Sequence, residues 1–457
     1  MGYLWMISSV AALGGLLFGY DWVVIGGARP FYEAYFHLTT PSTIGWANSC
    51  ALLGCFAGSL AAGRLSDLLG RKKMLLLSAF VFALSSVLTG WAQTFPWFIL
   101  WRILGGVAIG MASNVSPTYI AEISPAAWRG RLVSLNQFAL VFGIVAAQVA
   151  NWRIAQPVSG TAAISAASWN AQFGWRWMFT AVAVPALFFL VLTPFIPESP
   201  RWLTEKGDDR KALHVLTTIG GHVYGDSELA SIRESLRSPV GGGRIGSLLS
   251  RPLRTLLLVG ITLAVLQQWC GINIIFNYAS EIYRSAGYGI SDVMFNIVVT
   301  GAVNLVFTIV AMLLVDSLGR RRLMLFGCIG IGVSHLLASL AYRAGWQGFW
   351  VLLLTLTAIA CYAVSLAPVT WVLITELFPN SVRATAVSVS VAALWVASFA
   401  LTYTFPFLSQ AFGTSSTFLV YGGICMLGLV FVYLCVPETK GQSLEQIEAS
   451  ELGEFHA

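Results

Sequence analysis

Apolar runs of about 20 residues, the length a helix needs to cross the hydrocarbon core of a bilayer, recur through nearly the whole of this chain. Twelve can be traced, at about 4–28, 44–63, 74–92, 96–121, 132–151, 177–196, 254–283, 293–315, 323–342, 348–375, 384–407 and 415–436. Hydrocarbon offers no partner to a backbone N–H or C=O, so each run must satisfy its own groups and is expected to be a helix. Of the 457 residues 57% are hydrophobic and only 10% charged, where a soluble domain carries about a quarter charged. The expected fold class is an all-α membrane protein with twelve transmembrane helices.

The formal net charge of +6 orients the chain; it does not mark a nucleic-acid partner. With the N-terminus inside, the inner loops hold Arg64, Arg71, Lys72, Lys73, Arg129, Arg131, Arg320, Arg321, Arg322, Arg383, Lys440 and the basic residues between Arg201 and Arg254. The outer loops hold only Arg29, Arg153, Arg176, Arg284 and Arg343. That asymmetry places both termini in the cytoplasm. No loop carries an Asn-x-Ser/Thr acceptor, which agrees with a multi-pass protein of a bacterial inner membrane. All seven cysteines fall inside spans, and the five histidines are scattered. Neither a metal site nor an enzyme's nucleophile, phosphate-loop or metal-ligand motif is expected.

One stretch breaks the apolar rhythm. Residues 197–253 carry much of the charge and divide the spans six and six, with short surface helices expected at Asp208–Ile219 and Ser227–Leu236 and a flexible break at 239–243. The expected organisation is a six-helix bundle over 1–196, a small cytoplasmic helical domain over 197–253, a second bundle over 254–436 and a cytoplasmic tail over 437–457. The halves repeat each other. GRLSDLLGRKK (63–73) answers to VDSLGRRR (315–322), AEISPAAWRG (121–130) to TELFPNSVRA (375–384), and PESPRW (197–202) to PETKG (437–441). Three signature pairs in one order imply duplicated bundles, which in such proteins move against each other around a site near the bilayer midplane.

With GGLLFGYD (14–21), RILGG (102–106) and QQWCGIN (267–273) added to these motifs, the chain resembles the sugar porter family of the major facilitator superfamily over essentially its whole length. That family includes bacterial xylose– and glucose–proton symporters and the facilitative glucose transporters of animals. The resemblance implies two pseudo-symmetric bundles, alternating access, a small neutral sugar as substrate and a monomer as the working unit.

Asp21 is the only acid well inside an expected span, and Arg102 the only such base. A charge at that depth costs several kcal/mol unless paired or wetted. Both lie about seven residues from the outer end of their span, hence at roughly the same depth, ~10 Å below the boundary. Paired with Arg102 the carboxylate stays ionised; parted from it in a dry surrounding it takes up a proton. From the residues alone a permanent ion pair between spans 1 and 4 is the competing reading. The resemblance favours coupling, because proton-coupled members are similar in having Asp and Arg at these places while facilitative relatives have Asn at the first. Arg102 then governs when Asp21 carries the proton, which is the only cofactor-like ion expected.

Gln267 and Gln268 fall near mid-membrane in span 7, followed by Asn273, with Gln137 in span 5 and Asn304 in span 8. Amides give donors and acceptors without charge, which suits a polyhydroxylated neutral ligand, but singly each is as readily interhelical glue. Trp371 follows Pro368 in span 10, and Trp395 lies in span 11; an indole can cover a sugar's apolar face while its N–H bonds a hydroxyl. The resemblance implies that Gln137, Gln267, Gln268, Asn273 and Trp371 hydrogen-bond the sugar, and that Phe18, Asn304 and Trp395 line its site. Three positions depart from the family pattern: Asn277 stands where a Tyr is usual, Leu394 where a polar residue often precedes the Trp, and Ala367 where Gly usually precedes Pro368. They leave the identity of the sugar, pentose, hexose or cyclic polyol, open.

The repeated loops place Asp67 with Arg71, Glu122 with Arg129, Asp316 with Arg320 and Glu376 with Arg383 at the inner boundary. Ion pairs in half-wet surroundings are weak enough to break in every cycle. The resemblance implies a cytoplasmic gate built from these residues together with Glu198.

Overall fold

The computed structural model of the chain describes residues 2–157, 165–237, 251–346, 348–378 and 382–438. The break expected at 239–243, the tail from 439 on with Lys440, and the side chain of Asp316 lie outside the described residues. Within them every regular element is helical.

The first five spans are the helices α1 (Gly2–Phe36), α2 (Pro41–Leu69), α3 (Arg71–Gly90), α4 (Phe95–Ile123) and α5 (Ala126–Ile154). The sixth, Asn170–Phe195, contains α6 (Trp175–Thr180) and α7 (Ala183–Leu192). Three amphipathic helices follow: α8 (Pro200–Glu205), α9 (Asp209–Gly220) and α10 (His222–Arg237). The seventh span is broken into α11 (Arg251–Trp269), α12 (Ile272–Asn277) and α13 (Ala279–Ser285). Next come α14 (Ile290–Leu318) and α15 (Arg320–Arg343), then a tenth span broken into α16 (Phe349–Val364) and α17 (Leu366–Glu376), and last α18 (Arg383–Cys435).

Eleven of the described helical stretches are long and apolar enough to cross a membrane. The last holds two spans. A continuous helix of its 53 residues would be about 80 Å long, more than twice the hydrocarbon thickness. The backbone resolves this by leaving the helical region at Gly413 (φ 76°, ψ 162°). Large apolar side chains stand exposed on the flanks of the spans, Phe188, Leu313 and Leu427 among them, as the solvent reading of the sequence requires.

Two compact units emerge: Met1–Ala28 with Cys50–Ile154 and Gln172–Val240, and Arg29–Ser49 with Ala155–Ala171 and Gly241–Ala457. In the first, small residues let helices touch backbone to backbone. A Cβ on Gly19 would lie 1.8 Å from the Leu140 carbonyl of α5, and one on Gly106 would lie 1.9 Å from the Ala51 carbonyl of α2. Only glycine permits these approaches, the small-residue packing that membrane helices use where water supplies no driving force. They fix α1 and α4, the helices that carry Asp21 and Arg102.

The amphipathic helices of 197–237 make a small core of their own, with Leu203, Ala212, Val215, Leu216, Leu229 and Ile232 buried together. Pro200 opens α8, where a missing N–H costs nothing, and Ser199 caps it by accepting from the Trp202 N–H at 3.3 Å. Asp208 caps α9 from Lys211 N–H at 3.2 Å. The second of these helices begins five residues earlier than Ser227, because Gly221 (φ 85°) makes the turn on its own.

Two sequence expectations are corrected. Span 1 does not end at residue 28. α1 runs on through Pro30 to Phe36, so Arg29 is a buried helical residue and not a loop residue. The Arg-Pro pair looks like a helix end, but the guanidinium is neutralised where it lies. Arg176 is not in a loop either. It is buried in α6, and its guanidinium donates to the carbonyls of Gly90 and Ala92, each at 3.0 Å, closing the end of α3.

Candidate transport site

In the first unit the two intramembrane charges meet. Arg102 Nη1 donates to both carboxylate oxygens of Asp21 at 2.8 Å, and each residue is only 4% exposed. The guanidinium lies 5.3 Å over the ring of Phe179. The pair therefore joins α1 to α4 away from water, with an aromatic face on the cation, where the Coulomb attraction is screened least. Asn151 of α5 donates to the Val24 carbonyl at 2.9 Å, holding the helix turn just beyond Asp21. Phe18, one turn before Asp21, is half-buried and packs edge-on against Trp22 at 5.8 Å. Gln137 is half-buried on α5.

In the second unit the amides of span 7 form a chain. Asn273 Nδ2 donates to Gln268 Oε1 at 2.5 Å, and Gln268 Nε2 to Gln267 Oε1 at 3.2 Å. Gln267 Nε2 in turn donates to the carbonyls of Leu366 and Ala367, both at 3.3 Å. The chain ends at the break in span 10, where Ser365 (φ −122°, ψ −90°) separates α16 from α17. Span 7 breaks beside it: Gly271 is left-handed (φ 86°, ψ −6°) between α11 and α12. Helix breaks expose backbone groups that would be costly in lipid, so they need partners. His335, buried on α15, lies with its Nε2 2.9 Å from the Cys270 carbonyl and provides one. His335 is thus a structural histidine that scattered spacing did not disclose.

Three of the other expected site residues lie on α14, α17 and α18 of the second unit. Asn304 of α14 and Trp395 of α18 are buried, while Trp371 on α17 is exposed. Of the departures from the family pattern, Leu394 is buried, and Asn277 is buried with no bond to its Oδ1 among the described residues. Tyr278 beside it donates to the Thr402 carbonyl at 2.7 Å. Despite Ala367, the backbone of span 10 does break.

The loop charges form the same figure twice. In the first unit Gly70 (φ 94°, ψ 159°) starts α3, the Arg71 N–H donates to Glu198 Oε1 at 2.9 Å, and Arg71 Nη2 lies 3.0 Å from Glu122 Oε1. In the second, Gly319 (φ 92°, ψ 153°) starts α15, the Arg320 N–H donates to Glu438 Oε1 at 2.9 Å, and Arg320 Nη2 lies 3.4 Å from Glu376 Oε1. Lys72 reaches the Pro194 carbonyl at 2.6 Å, and Arg321 reaches that of Tyr433. Asp67 adds a contact to Arg71 at 3.1 Å, and Ser199 bonds Glu122 at 2.5 Å. Arg129 and Arg383 instead turn Nε to local carbonyls, of Ala121 at 3.2 Å and Phe378 at 3.0 Å. Glu438 is a member of this figure that the site assignment from sequence omitted. Its place in PETKG, the repeat of PESPRW, was the signal that could have found it.

A third charged cluster was missed altogether. Arg29 Nε lies 2.5 Å from Glu33 Oε1, and its Nη2 lies 2.7 Å from Glu281 Oε2 on α13. The guanidinium rests 4.4 Å over the Tyr278 ring, and Ser409 of α18 donates to the other Glu281 oxygen at 2.8 Å. Arg29, Glu33, Glu281 and Ser409 line a cavity of about 570 Å³.

Duplicated helical units, helices broken at mid-span and a buried ion pair define a multi-pass membrane transporter of the major facilitator architecture. Residues 7–450 match the family model described as sugar (and other) transporter, and the chain belongs to that family. It is similar to the D-xylose-proton symporter of Escherichia coli (strain K12), 34% identical with 98% of this chain and 95% of that protein covered. The arabinose-proton symporter of Bacillus subtilis (strain 168) is 37% identical, with 98% and 95% covered. The glucose transport protein of a Synechocystis species is 38% identical, with 97% of each covered. Among solved structures, the partially occluded inward-open form of the xylose transporter XylE from E. coli matches with a TM-score of 0.85 at 33% identity, over 97% of this chain and 100% of that one. Its form bound to 6-bromo-6-deoxy-D-glucose matches at 0.80 and 34% identity, over 98% and 99%.

Proposed function

We propose that this protein imports a monosaccharide, a pentose or hexose, together with a proton by alternating access. The observation that carries the reading is the buried Asp21–Arg102 pair, joined by full-length likeness to proteins named for xylose–proton and arabinose–proton symport. A carboxylate bonded to a guanidinium keeps its charge; if the conformational cycle draws them apart in a dry setting, the carboxylate takes a proton from the side it then faces. Transport of the proton and the sugar are thereby linked through one group. Gln137, Gln267, Gln268, Asn273 and Trp371 bind the hydroxyls, and Phe18, Asn304 and Trp395 shape the site.

In this reading the termini are cytoplasmic and the protein works as a monomer in a bacterial inner membrane, with no cofactor beyond the proton. The Arg71–Glu122–Glu198 and Arg320–Glu376–Glu438 figures lie at the cytoplasmic ends of the spans. They serve as the inner gate, together with Asp67, Arg129, Asp316 and Arg383.

The deciding experiment compares Asp21→Asn with the parent in liposomes. The variant is expected to exchange sugar down its own gradient while losing accumulation driven by a pH gradient. Accumulation that survives the substitution would mean that Asp21 does not couple, and an absence of pH-driven uptake in the parent would make the protein a uniporter.

A further inference from the structure

With the termini cytoplasmic, the Phe36 end of α1 and the α13 end of span 7 face outward, and the Arg29 cluster lies there. We propose that Glu33 and Glu281, held by Arg29, form a second proton-binding site, and that a proton taken up there unties α1 from α13. The proposal rests on the sidedness and proton coupling of the proposed function.

The stoichiometry of charge is the first argument. Arg29 is 5% exposed and neutralises one carboxylate, yet it holds two. One negative charge is left over beside a cavity of about 570 Å³, a size that admits water and small solutes. The remaining guanidinium nitrogen, Arg29 Nη1, is buried without a hydrogen-bond partner among the described residues. The cluster is therefore built to exchange partners.

The second argument is which bonds cross between helices. Glu33 is four residues from Arg29 on the same helix, so that pair moves as one body. Glu281 is the charged tie from Arg29 to α13, and through Ser409 to α18, beside the uncharged contact of the guanidinium with the Tyr278 ring. When Glu281 is ionised, parting α1 from α13 strands a carboxylate. When Glu281 is protonated, α1 leaves carrying a neutral Arg29–Glu33 pair, and α13 keeps a neutral acid. Protonation of Glu281, partly exposed at the cavity, thus lets the strap open with no carboxylate left unpaired.

One further cation faces the cluster: Arg284 on α13 lines the same cavity and acts on Glu33, but it is exposed and screened by water, so it offsets the surplus negative charge only in part. Tyr32 on α1 and Tyr278 beside α13 face the guanidinium with phenol side chains. Tyr288 follows α13 with Asp292 of α14 beside it. From α2 and α18 only uncharged residues line the cavity, Ile44 and Gln410 among them.

The test needs no sugar. Ser280, 3% exposed and lining the cavity beside Glu281, is replaced by cysteine, and labelling by a membrane-impermeant maleimide is followed from outside on right-side-out vesicles at pH 7. Glu281→Gln and Arg29→Gln are each expected to raise the labelling rate at least threefold over the Ser280→Cys parent. Electrostatics at the thiol alone would move the two variants in opposite directions, since one removes a negative charge and the other a positive one. Opposite or absent changes, with melting temperatures showing folded protein, overturn the strap. The proton is tested by counterflow in an Asp21→Asn background, where the central carboxyl is permanently neutral. Exchange is expected to quicken at least twofold as external pH falls from 8 to 5.5, and Glu281→Gln to abolish that dependence; equal profiles overturn the proton role. Failure of the proposed function would appear separately, as pH-driven accumulation that persists in Asp21→Asn alone.

Discussion

Arg102 meets Asp21 through Nη1, which stands 2.8 Å from both carboxylate oxygens. One nitrogen thus serves the whole carboxylate, and a displacement of α1 against α4 lengthens both contacts together. Breaking such a pair by deleting one member strands a charge, at a cost of about 3–5 kcal/mol. Arg102→Met is expected to lower stability on that scale in detergent unfolding. The double variant Asp21→Asn/Arg102→Met should recover a large part of the loss, because it leaves no ion unpaired. Additivity of the two single effects would show that the pair is not energetically coupled.

Gly70 and Gly319 should fail alike. Their φ values of 94° and 92° are open to glycine, and a Cβ would lie 2.3 Å from Glu198 Oε2 and 2.7 Å from Glu438 Oε2 respectively. Alanine at either place is expected to destabilise by ~1–3 kcal/mol, the usual cost of a residue forced into such a conformation. If Gly319→Ala melts with the parent, the second figure is not held as the first is.

Gln268 is the middle of the amide chain, accepting from Asn273 and donating to Gln267. Its replacement by alanine removes both links and leaves the helix breaks intact. An increase of about tenfold in the sugar KM for counterflow is expected, which corresponds to ~1.4 kcal/mol. Gln267→Ala should do more, since it also frees the Leu366 and Ala367 carbonyls. A KM unchanged in both variants would remove this chain from the sugar site.

The cap of α9 gives a pH effect of known sign. The Lys211 side chain and its N–H, both bonded to Asp208, hold the Asp208 carboxyl below the usual carboxylate range. The stabilisation is therefore fully present above the unfolded value near 3.9, and it is lost as pH falls through the lower folded value. Protection of the Lys211 amide against hydrogen exchange is expected to drop as the acid limit is approached. Asp208→Ala should show weak protection at neutral pH as well; protection equal to the parent's would mean that the cap does not hold this end of the helix.

The long apolar periodicity disclosed the spans because lipid punishes any unsatisfied backbone, so pattern and fold are tied residue by residue. The Asp21–Arg102 meeting was legible for a related reason: two ions at equal depth have few other partners. Arg29 was misread by the same logic. A charge followed by proline looks like a helix end, and the partner that makes the continued helix tolerable, Glu281, lies 252 positions away along the chain. The link from Gln267 to the break at Ser365 and the hold of His335 on Cys270 were equally hidden, since each joins residues that no local spacing connects.

By itself the sequence determined that this chain is a helical membrane protein with a doubled plan and a buried acid and base, because burial in hydrocarbon constrains every residue separately. The tertiary structure decided which charges pair, where the helices break and which glutamate each repeated arginine receives. Those are contacts between distant segments, and their energies depend on geometry that linear order does not carry.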